Sequence, residues 1–481
     1  MRMTPFLGGT LTTSLLLVGC ATAPPPPVAV RSLEAGRSSF DIDRAIAEWP
    51  FDHAMWGIRV EEGDGTVLVD RNASKLLMPA SNRKLFAAAV ALECLGADSR
   101  IATELWTSGP SASGRLDGDL VVKGDGDPSF GGRFYEDKLS VFAPFLRVLR
   151  ARGIEEVHGD IVADVSRYDR QTVPGGWKVG EVGEEYAAPV DALAFNENLI
   201  GVDLDGSDCG IPHVAAHPDF VPITAQVVCG SIGEPEARST PDNHVVVEGI
   251  VKPSEAKHWG DIIAVSDPAL FTAQAFRAYL VENGILVTGI ARTSIEPRQW
   301  SERIGEIDSP FLFQIVSRLL KNSQNLYAEM LFKKVSPAGE PASYAAAREV
   351  ERRFLTREVG IDGSEFTFAD GCGLTTDDLV TPNATVRLLR YLNAPGRASL
   401  FWAILATPGE EGTLRKRLTE LGARVRGKTG SIHGVNALSG IIRSVDGARY
   451  RYFSIIVNHH NGESDAALRI IDSIVREYAK F

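Results

Sequence analysis

The sequence predicts an α+β fold, and three observations carry that prediction. Two short strand patterns precede a thoroughly apolar helix near the N-terminus; helical patterns after residue 302 give way to strands and a closing amphipathic helix; and the stretch from 96 to 301 between them is rich in short strands. The body is therefore discontinuous, formed by residues 38–95 and 302–481 around a large insertion. At 481 residues the length suits about three domains, and a hydrophobic content of 44% is ample for packed cores. The net charge of -12, with no basic stripe to offset it, excludes a nucleic-acid partner, because a phosphate backbone would be repelled.

Taken in order, the N-terminus comes first. Arg2 precedes an apolar stretch through Leu15-Leu16-Leu17-Val18 that is too short to span a bilayer, and Gly19-Cys20 follows. This resembles a bacterial lipoprotein signal, which implies removal of residues 1–19 and a lipid on Cys20; an ordinary secretory signal is the alternative. Residues 20–37 hold four consecutive prolines at 24–27, the composition of an extended spacer between membrane and folded protein. Ala21 after the lipid site resembles the sorting signal for an outer membrane in a host with two membranes. Strands are expected at Trp56 to Val60 and Gly65 to Asp70.

Ser81-Asn82-Arg83-Lys84 follows, opening the run Leu85-Phe86-Ala87-Ala88-Ala89-Val90-Ala91-Leu92, which reads as a buried helix. At a helix N-terminus the unpaired amides and the helix dipole favour negative charge on the Ser81 oxygen, and Lys84 projects from the same face one turn on. That pairs a nucleophile with a base, although serine alone at such a place reads equally well as an N-cap. In the insertion, Gly124-Asp125-Gly126-Asp127-Pro128 lacks the further acidic positions and helix start of a calcium or nucleotide loop and reads as a tight turn. Ser254-Glu255-Ala256-Lys257 repeats the S-x-x-K spacing without an apolar helix behind it and is set aside.

Helices are expected around Ser309 to Lys334, Tyr344 to Val359 and Thr381 to Leu392. The first contains Ser323-Gln324-Asn325, which alone could be a polar helix cap. Lys428-Thr429-Gly430-Ser431-Ile432 occurs once, ahead of the strand pattern Val435 to Ile442, and an amphipathic helix runs from Glu463. The S-x-x-K, S-x-N and K-T-G strings in this order are the set found in serine enzymes that acylate on penicillin and on peptides ending in D-alanine.

With these strings stand Gly118-Asp119-Leu120-Val121-Val122-Lys123 leading into the 124–128 turn, Tyr186-Ala187-Ala188-Pro189, Asn196-Glu197-Asn198, Asp267-Pro268-Ala269-Leu270 and Asp370-Gly371-Cys372-Gly373-Leu374. Together they resemble the D-alanyl-D-alanine carboxypeptidase/endopeptidase family, the type-4 low-molecular-mass penicillin-binding proteins. The 238 residues between Lys84 and Ser323 fit that family and not class A β-lactamases, whose spacing is far shorter. The resemblance implies a penicillin-binding transpeptidase/β-lactamase-like body, an inserted domain at 96–164 and 258–301, and a nested small domain at 165–257. It implies hydrolysis of peptidoglycan stem peptides through an acyl-enzyme on Ser81, acylation by β-lactam antibiotics, and no cofactor. A β-lactamase or esterase on the same motifs, or a slow penicillin-binding sensor, is the alternative.

The roles follow from acyl transfer chemistry. Lys84 takes the Ser81 proton if burial and the Lys428 charge lower its pKa. By resemblance Ser323 bridges Lys84 and Lys428 and passes the proton to the leaving nitrogen, while Asn325 holds a substrate amide. The resemblance implies an oxyanion hole from the Ser81 and Ser431 amides and a terminal-carboxylate site at Thr429, Gly430 and Ser431 beside Lys428. Among acidic residues after Gly176-Trp177, Glu181 is the choice to meet a stem-peptide amine, with Glu184 and Glu185 as neighbours. Two departures from the family pattern are Cys372, where D-G-S-G-L has serine, and Thr376, where an arginine is usual.

Five cysteines include Cys20; of the rest, Cys209 and Cys229 are the candidate disulfide, closing a loop for about 3 kcal/mol, and Cys94 is expected as a buried thiol. Nine histidines are scattered without H-E-x-x-H or C-x-x-C, so no metal site is expected, and His459-His460 reads as the polar end of a strand.

Overall fold

The computed structural model describes residues 40–205, 213–251 and 259–481. The leader, Cys20, the proline run, Cys209 and the Ser254 to Lys257 string lie outside these residues, and with them the expectations on lipidation and on the Cys209–Cys229 pair. Ser39–Phe481 holds together as one compact unit.

The body contains, in chain order, β1 (Met55–Glu62), β2 (Val67–Arg71), a 3-10 turn (Ala80–Asn82) running into α1 (Arg83–Leu95), α2 (Leu312–Asn322), α3 (Asn325–Lys334), α4 (Tyr344–Arg357), α5 (Pro382–Leu392), β3 (Val425–Ile432), β4 (Val435–Arg443), β5 (Tyr450–Asn458) and α6 (Ser464–Tyr478). The five strands form one antiparallel sheet in the order β2-β1-β5-β4-β3. Side chains alternate across it. Trp56, Ile58, Val60, Leu438, Ile455 and Val457 join Ile471, Ile474 and Val475 of α6 in one core, while Ala437, Ile441 and Ile456 face a second core with Leu85, Phe86 and Leu388. A sheet covered on both faces explains why β4 is buried along nearly its whole length.

Helix α1 is buried at every position from Arg83 to Ala91, as its apolar run predicts. It leaves the core after that, so Cys94 is exposed rather than buried. Ser323 breaks the expected long helix between α2 and α3 by adopting φ 60, ψ 39, a left-handed conformation.

The insertion centres on a second five-stranded sheet in the order Ala291–Ser294, Ile161–Asp164, Leu120–Lys123, Ala102–Thr107, Glu302–Asp308. Its first three strands run parallel and its last two pairings are antiparallel. Glu302–Asp308, expected to open the second part of the body, is thus the edge strand of the inserted sheet, because its partner Ala102–Thr107 lies there. Two three-stranded sheets follow within 199–264, one around Leu199–Asp205 and one around Val245–Val251.

Candidate active site

Ser81 sits in the 3-10 turn ahead of α1, half-buried, directly after Ala80 at φ 47. A non-glycine residue held there costs energy that the surroundings must supply, and several contacts do so. Asn82 Nδ2 donates to Ser439 Oγ at 2.7 Å, and Ser439 Oγ donates to Ser454 Oγ at 2.9 Å, tying the turn to β4 and β5. The buried Arg83 guanidinium donates to both Glu351 oxygens at 2.7 and 2.9 Å and to the Asp370 carbonyl at 2.9 Å, between the Phe332 and Phe368 rings. The turn is fixed from the sheet side and from α4.

Lys84 is wholly buried and donates to three acceptors: Ser81 Oγ at 2.8 Å, Asn325 Oδ1 at 2.6 Å and the Cys372 carbonyl at 2.8 Å. Burial, with the Arg83 charge in addition, pushes its pKa below the ordinary lysine value. Lys428 on β3 is equally buried and donates to Ser323 Oγ at 2.9 Å and to the Thr429 carbonyl at 2.7 Å. Burial and then the Lys84 charge hold its pKa well below the ordinary value. Ser323 therefore does not bridge the two lysines by hydrogen bonds as expected. Its left-handed backbone turns the hydroxyl to Lys428, while Asn325, opening α3, reaches Lys84 with its oxygen and donates through Nδ2 to the Tyr186 carbonyl at 2.7 Å.

Strand β3 is the sheet edge beside this cluster. Gly427 donates outward to the Ala406 carbonyl at 3.1 Å, so by alternation the Thr429 and Ser431 amides also point away from β4, toward the Ser81 turn. Gly430 makes the approach feasible, since a Cβ on it would lie 2.7 Å from the Pro79 carbonyl oxygen and 3.2 Å from the Ser81 nitrogen. The structure thus brings together Ser81, Lys84, Ser323, Asn325, Lys428 and Gly430, with Thr429 half-buried and Ser431 exposed on the rim.

The Cys372 carbonyl is held by a carboxylate that the sequence did not single out. Asp370 accepts from the backbone amides of Cys372 (3.0 Å), Gly373 (2.7 Å), Leu374 (3.1 Å) and Thr375 (3.0 Å), and from Trp177 Nε1 (2.9 Å). Burial works to raise its pKa, but the hydrogen bonds win and hold it below the usual carboxylate range. Glu329 on α3 takes the Gly371 amide on both oxygens at 2.9 Å; burial and the Asp370 charge push it up to about 8. Burial and Asp370 likewise raise Asp378. Cys372 contributes its carbonyl, while its buried thiol, its pKa raised by burial, faces Asp370 Oδ2 at 3.6 Å. Thr376 is exposed. Glu329, Asp370 and Cys372 lie close together, but Asp370 is spent on five N–H donors and both Glu329 oxygens on the Gly371 amide, which is the arrangement of a loop anchor.

One wall of the cleft is formed by Glu185 and Tyr186, the end of a segment that starts at Asp169. Lys333 grips its start, donating to Asp169 Oδ1 at 2.6 Å and to the Gln171 carbonyl at 3.0 Å; Asp370 holds Trp177, and Asn325 holds Tyr186. Glu181 turns back on its own turn, accepting from the Lys178 amide at 3.1 Å and pairing with Lys178 Nζ at 3.7 Å. Glu185 instead lines a cavity of about 250 Å³ that reaches Ser323 and Asn325.

Comparison with known proteins gives a concordant result. Residues 39–480 match the model of the D-Ala-D-Ala carboxypeptidase 3 (S13) family. The chain is 30% identical over 465 residues to a D-alanyl-D-alanine carboxypeptidase of Actinomadura sp. (strain R39), covering 92% of this chain and 84% of that protein. It is 25% identical to the D-alanyl-D-alanine carboxypeptidase DacB of Haemophilus influenzae, over 83% of this chain and 84% of the relative. The crystal structure of penicillin binding protein 4 (dacB) from Haemophilus influenzae superposes with a TM-score of 0.82 over 92% of this chain and all of that one, at 23% identity.

Proposed function

The chain belongs to the D-Ala-D-Ala carboxypeptidase 3 (S13) family, and we propose that Ser81 is the nucleophile through which this serine D,D-peptidase opens the bond after a D-alanine carbonyl in peptidoglycan stem peptides. The observation that carries the assignment is the 2.8 Å contact between Lys84 Nζ and Ser81 Oγ, within a buried pair of lysines whose pKa values are both lowered.

Neutral Lys84 takes the proton from Ser81 Oγ as it attacks, forming a tetrahedral intermediate whose oxyanion meets the Ser81 and Ser431 amides. Ser323 gives its proton to the leaving nitrogen and regains one from Lys428, to which it is hydrogen bonded at 2.9 Å. Asn325 orients a substrate amide, and in doing so exchanges its Tyr186 carbonyl partner for the peptide. Thr429, Gly430 and Ser431, beside the Lys428 charge, receive the terminal carboxylate. Water then attacks the ester carbonyl, passing a proton through Ser323 back to Lys428, and Lys84 returns its proton to Ser81 Oγ as the acid leaves. When the leaving group is a single D-alanine the enzyme is a carboxypeptidase, and when it is a D-alanine to diaminopimelate cross-link it is an endopeptidase. For the stem-peptide amine, Glu185 on the cavity wall is better placed than Glu181, whose carboxylate is occupied by Lys178.

The domain division proposed is a body of about 38–95 and 302–481, less its Glu302–Asp308 edge strand, an inserted domain of 96–164 and 258–301, and a nested 165–257. The protein acts on the cell wall and so outside the cytoplasm, with no helix of the described residues long and apolar enough to cross a membrane. The L-V-G-C box supports a lipid on Cys20 that tethers it, in a two-membrane host to the outer membrane; a Cys20→Ala variant that stays with the membrane fraction would refute the anchor.

Whole-protein mass spectrometry with excess penicillin tests the site. A one-to-one adduct that persists for many minutes and is absent in Ser81→Ala is expected, followed by release of D-alanine from stem peptides. An adduct that vanishes while the drug is consumed would make the protein a β-lactamase, and no adduct would refute the assignment.

A further inference from the structure

We infer that Arg133 is a specificity residue that grips a carboxylate of the substrate upstream of the cleaved D-alanine. The inference rests on the peptidase reading above and deepens it.

The cavity beside Ser323 and Asn325 has no lining residue from β3, so it faces the acyl side of the substrate and not the leaving group. Arg133, from the inserted region, forms its far wall and also lines the adjoining cavity that continues to His217 and Ile262. The two cavities share Arg133, Glu185, Glu197 and Leu199 and read as one groove leading away from Ser323 and Asn325. The Arg133 guanidinium is half-exposed, with 48% of the side chain accessible, and it is held from behind. Nε donates to Glu197 Oε1 and Oε2 at 2.9 and 3.2 Å, and Glu197, nearly buried, also accepts from Tyr327 Oη at 3.0 Å. With the Gln324 amide turned so that its oxygen faces the guanidinium, it accepts from Nη2 at 2.8 Å. Gln324 is the middle residue of S-x-N, so the guanidinium is registered directly against a catalytic string. The Nη1 donors carry no hydrogen bond among the described residues, and they are the edge of a planar fork suited to a carboxylate.

The backbone around this arginine is unusual in a way that the mechanism does not require. Asn196, Glu197 and Asn198 all have φ between 51 and 59, three consecutive non-glycine residues in the left-handed region. Gly131 and Gly132, at φ 81 and 59, lie flush against them: a Cβ on Gly132 would be 3.0 Å from Glu197 Cγ, and one on Gly131 would be 3.2 Å from the Asn196 nitrogen. Such strain persists only where the surroundings over-determine it, and here its product is the aim of Arg133. Glu185 across the cavity is exposed, so solvent screens its repulsion of an incoming carboxylate.

The test compares two D-alanyl-D-alanine pentapeptides that differ only upstream, one with free carboxylates and one with these converted to carboxamides. The wild type is expected to prefer the free acid by tenfold or more in kcat/KM, mainly through KM. Arg133→Ala should bring the ratio to within twofold, Arg133→Lys should restore part of it as a point charge without the fork, and Glu197→Gln should weaken it by loosening the guanidinium. Equal kcat/KM for the two peptides in the wild type overturns the inference whatever the variants do, as does an Arg133→Ala enzyme that keeps the preference. If the wild type cleaves neither peptide, the peptidase reading itself fails and the inference with it.

Discussion

Trp177 Nε1 donates to Asp370 Oδ2 at 2.9 Å, so the wall of the cleft hangs on the same carboxylate that folds the loop beneath Lys84. Through that carboxylate the position of the wall and the direction of the Cys372 carbonyl, one of three acceptors around Lys84 Nζ, are set together. Trp177→Phe keeps the ring and removes one charge-assisted hydrogen bond, worth about 1.5–3 kcal/mol. Steady-state kinetics on D-alanyl peptides should show kcat/KM lowered by about tenfold or more. A variant with wild-type kinetics would mean that the wall is positioned without this bond.

The two lysines make a prediction about pH. Lys84 must be neutral to accept the Ser81 proton, so acylation rises with pH as Lys84 loses its proton, and burial places that limb below the ordinary lysine value. Lys428 is close enough for the Lys84 charge to lower its own pKa, and the coupling is reciprocal. If Lys428 carries its proton while Lys84 titrates, as its role in protonating Ser323 requires, Lys428→Met leaves Lys84 easier to protonate and moves the rising limb to higher pH. Stopped-flow acylation by a chromogenic β-lactam across pH 5 to 10 reads this directly; a limb that stays in place would show that Lys428 is already neutral when Lys84 titrates and so is not the proton source for Ser323. Lys84→Ala should slow acylation by about 10²–10⁴ on the high-pH plateau, the range of a lost general base, and flatten the rising limb, so that the deficit shrinks toward low pH.

Gly430 gives a steric test. A methyl at this position meets the Pro79 carbonyl at 2.7 Å, and that oxygen is backbone next to the nucleophile, so relief requires moving either β3 or the Ser81 turn. Gly430→Ala should cut the acylation rate by about a hundredfold or more, the scale of a misplaced oxyanion donor. Thermal unfolding should shift by only a few degrees, because β3 is an edge strand. Unchanged acylation would show that the Ser81 turn tolerates displacement.

Much of this was legible in the sequence because it lies on short strings with fixed geometry. S-x-x-K on a helix start needs only one helical turn to bring Lys84 to Ser81, and K-T-G lies on a strand next to the nucleophile. The sheet and helices of the body followed from apolar period, within a few residues. What could not be read depends on partners distant in sequence. Glu302–Asp308 looks like any strand until its pairing with Ala102–Thr107 is known. Of the acidic residues after Gly176-Trp177, only the folded chain shows that Glu185 lines the cavity beside Asn325 while the Glu181 carboxylate returns to Lys178. Asn325 was identified, but its contact with Lys84 across 241 residues was not. Arg133 carried a faint signal in the Gly131-Gly132 pair before it, which asks for a left-handed backbone, yet no string names the Glu197 that it meets.

Glu329 offers a test in which stability and activity separate. Its pKa is raised to about 8 from 4.5 by burial and by Asp370, so between those values the folded protein keeps a proton that the unfolded chain has released. Stability from this group is therefore intact below about pH 4.5, falls as pH rises, and is fully lost above about 8. The buried lysines act with the opposite sign, because their lowered pKa values make the folded state bind fewer protons, so the readout is the difference between wild type and Glu329→Gln. Glutamine imitates the protonated acid and keeps an acceptor for the Gly371 amide. Its melting temperature should match that of the wild type near pH 5, exceed it progressively up to about pH 8 and stay above it by a constant margin beyond, with acylation at pH 7 retained. Glu329→Ala instead leaves the buried Gly371 amide unpaired, at a cost of about 1–3 kcal/mol, and should be destabilised at every pH. Parallel melting curves for wild type and Glu329→Gln from pH 5 to 9 would show that the carboxyl does not titrate in this range.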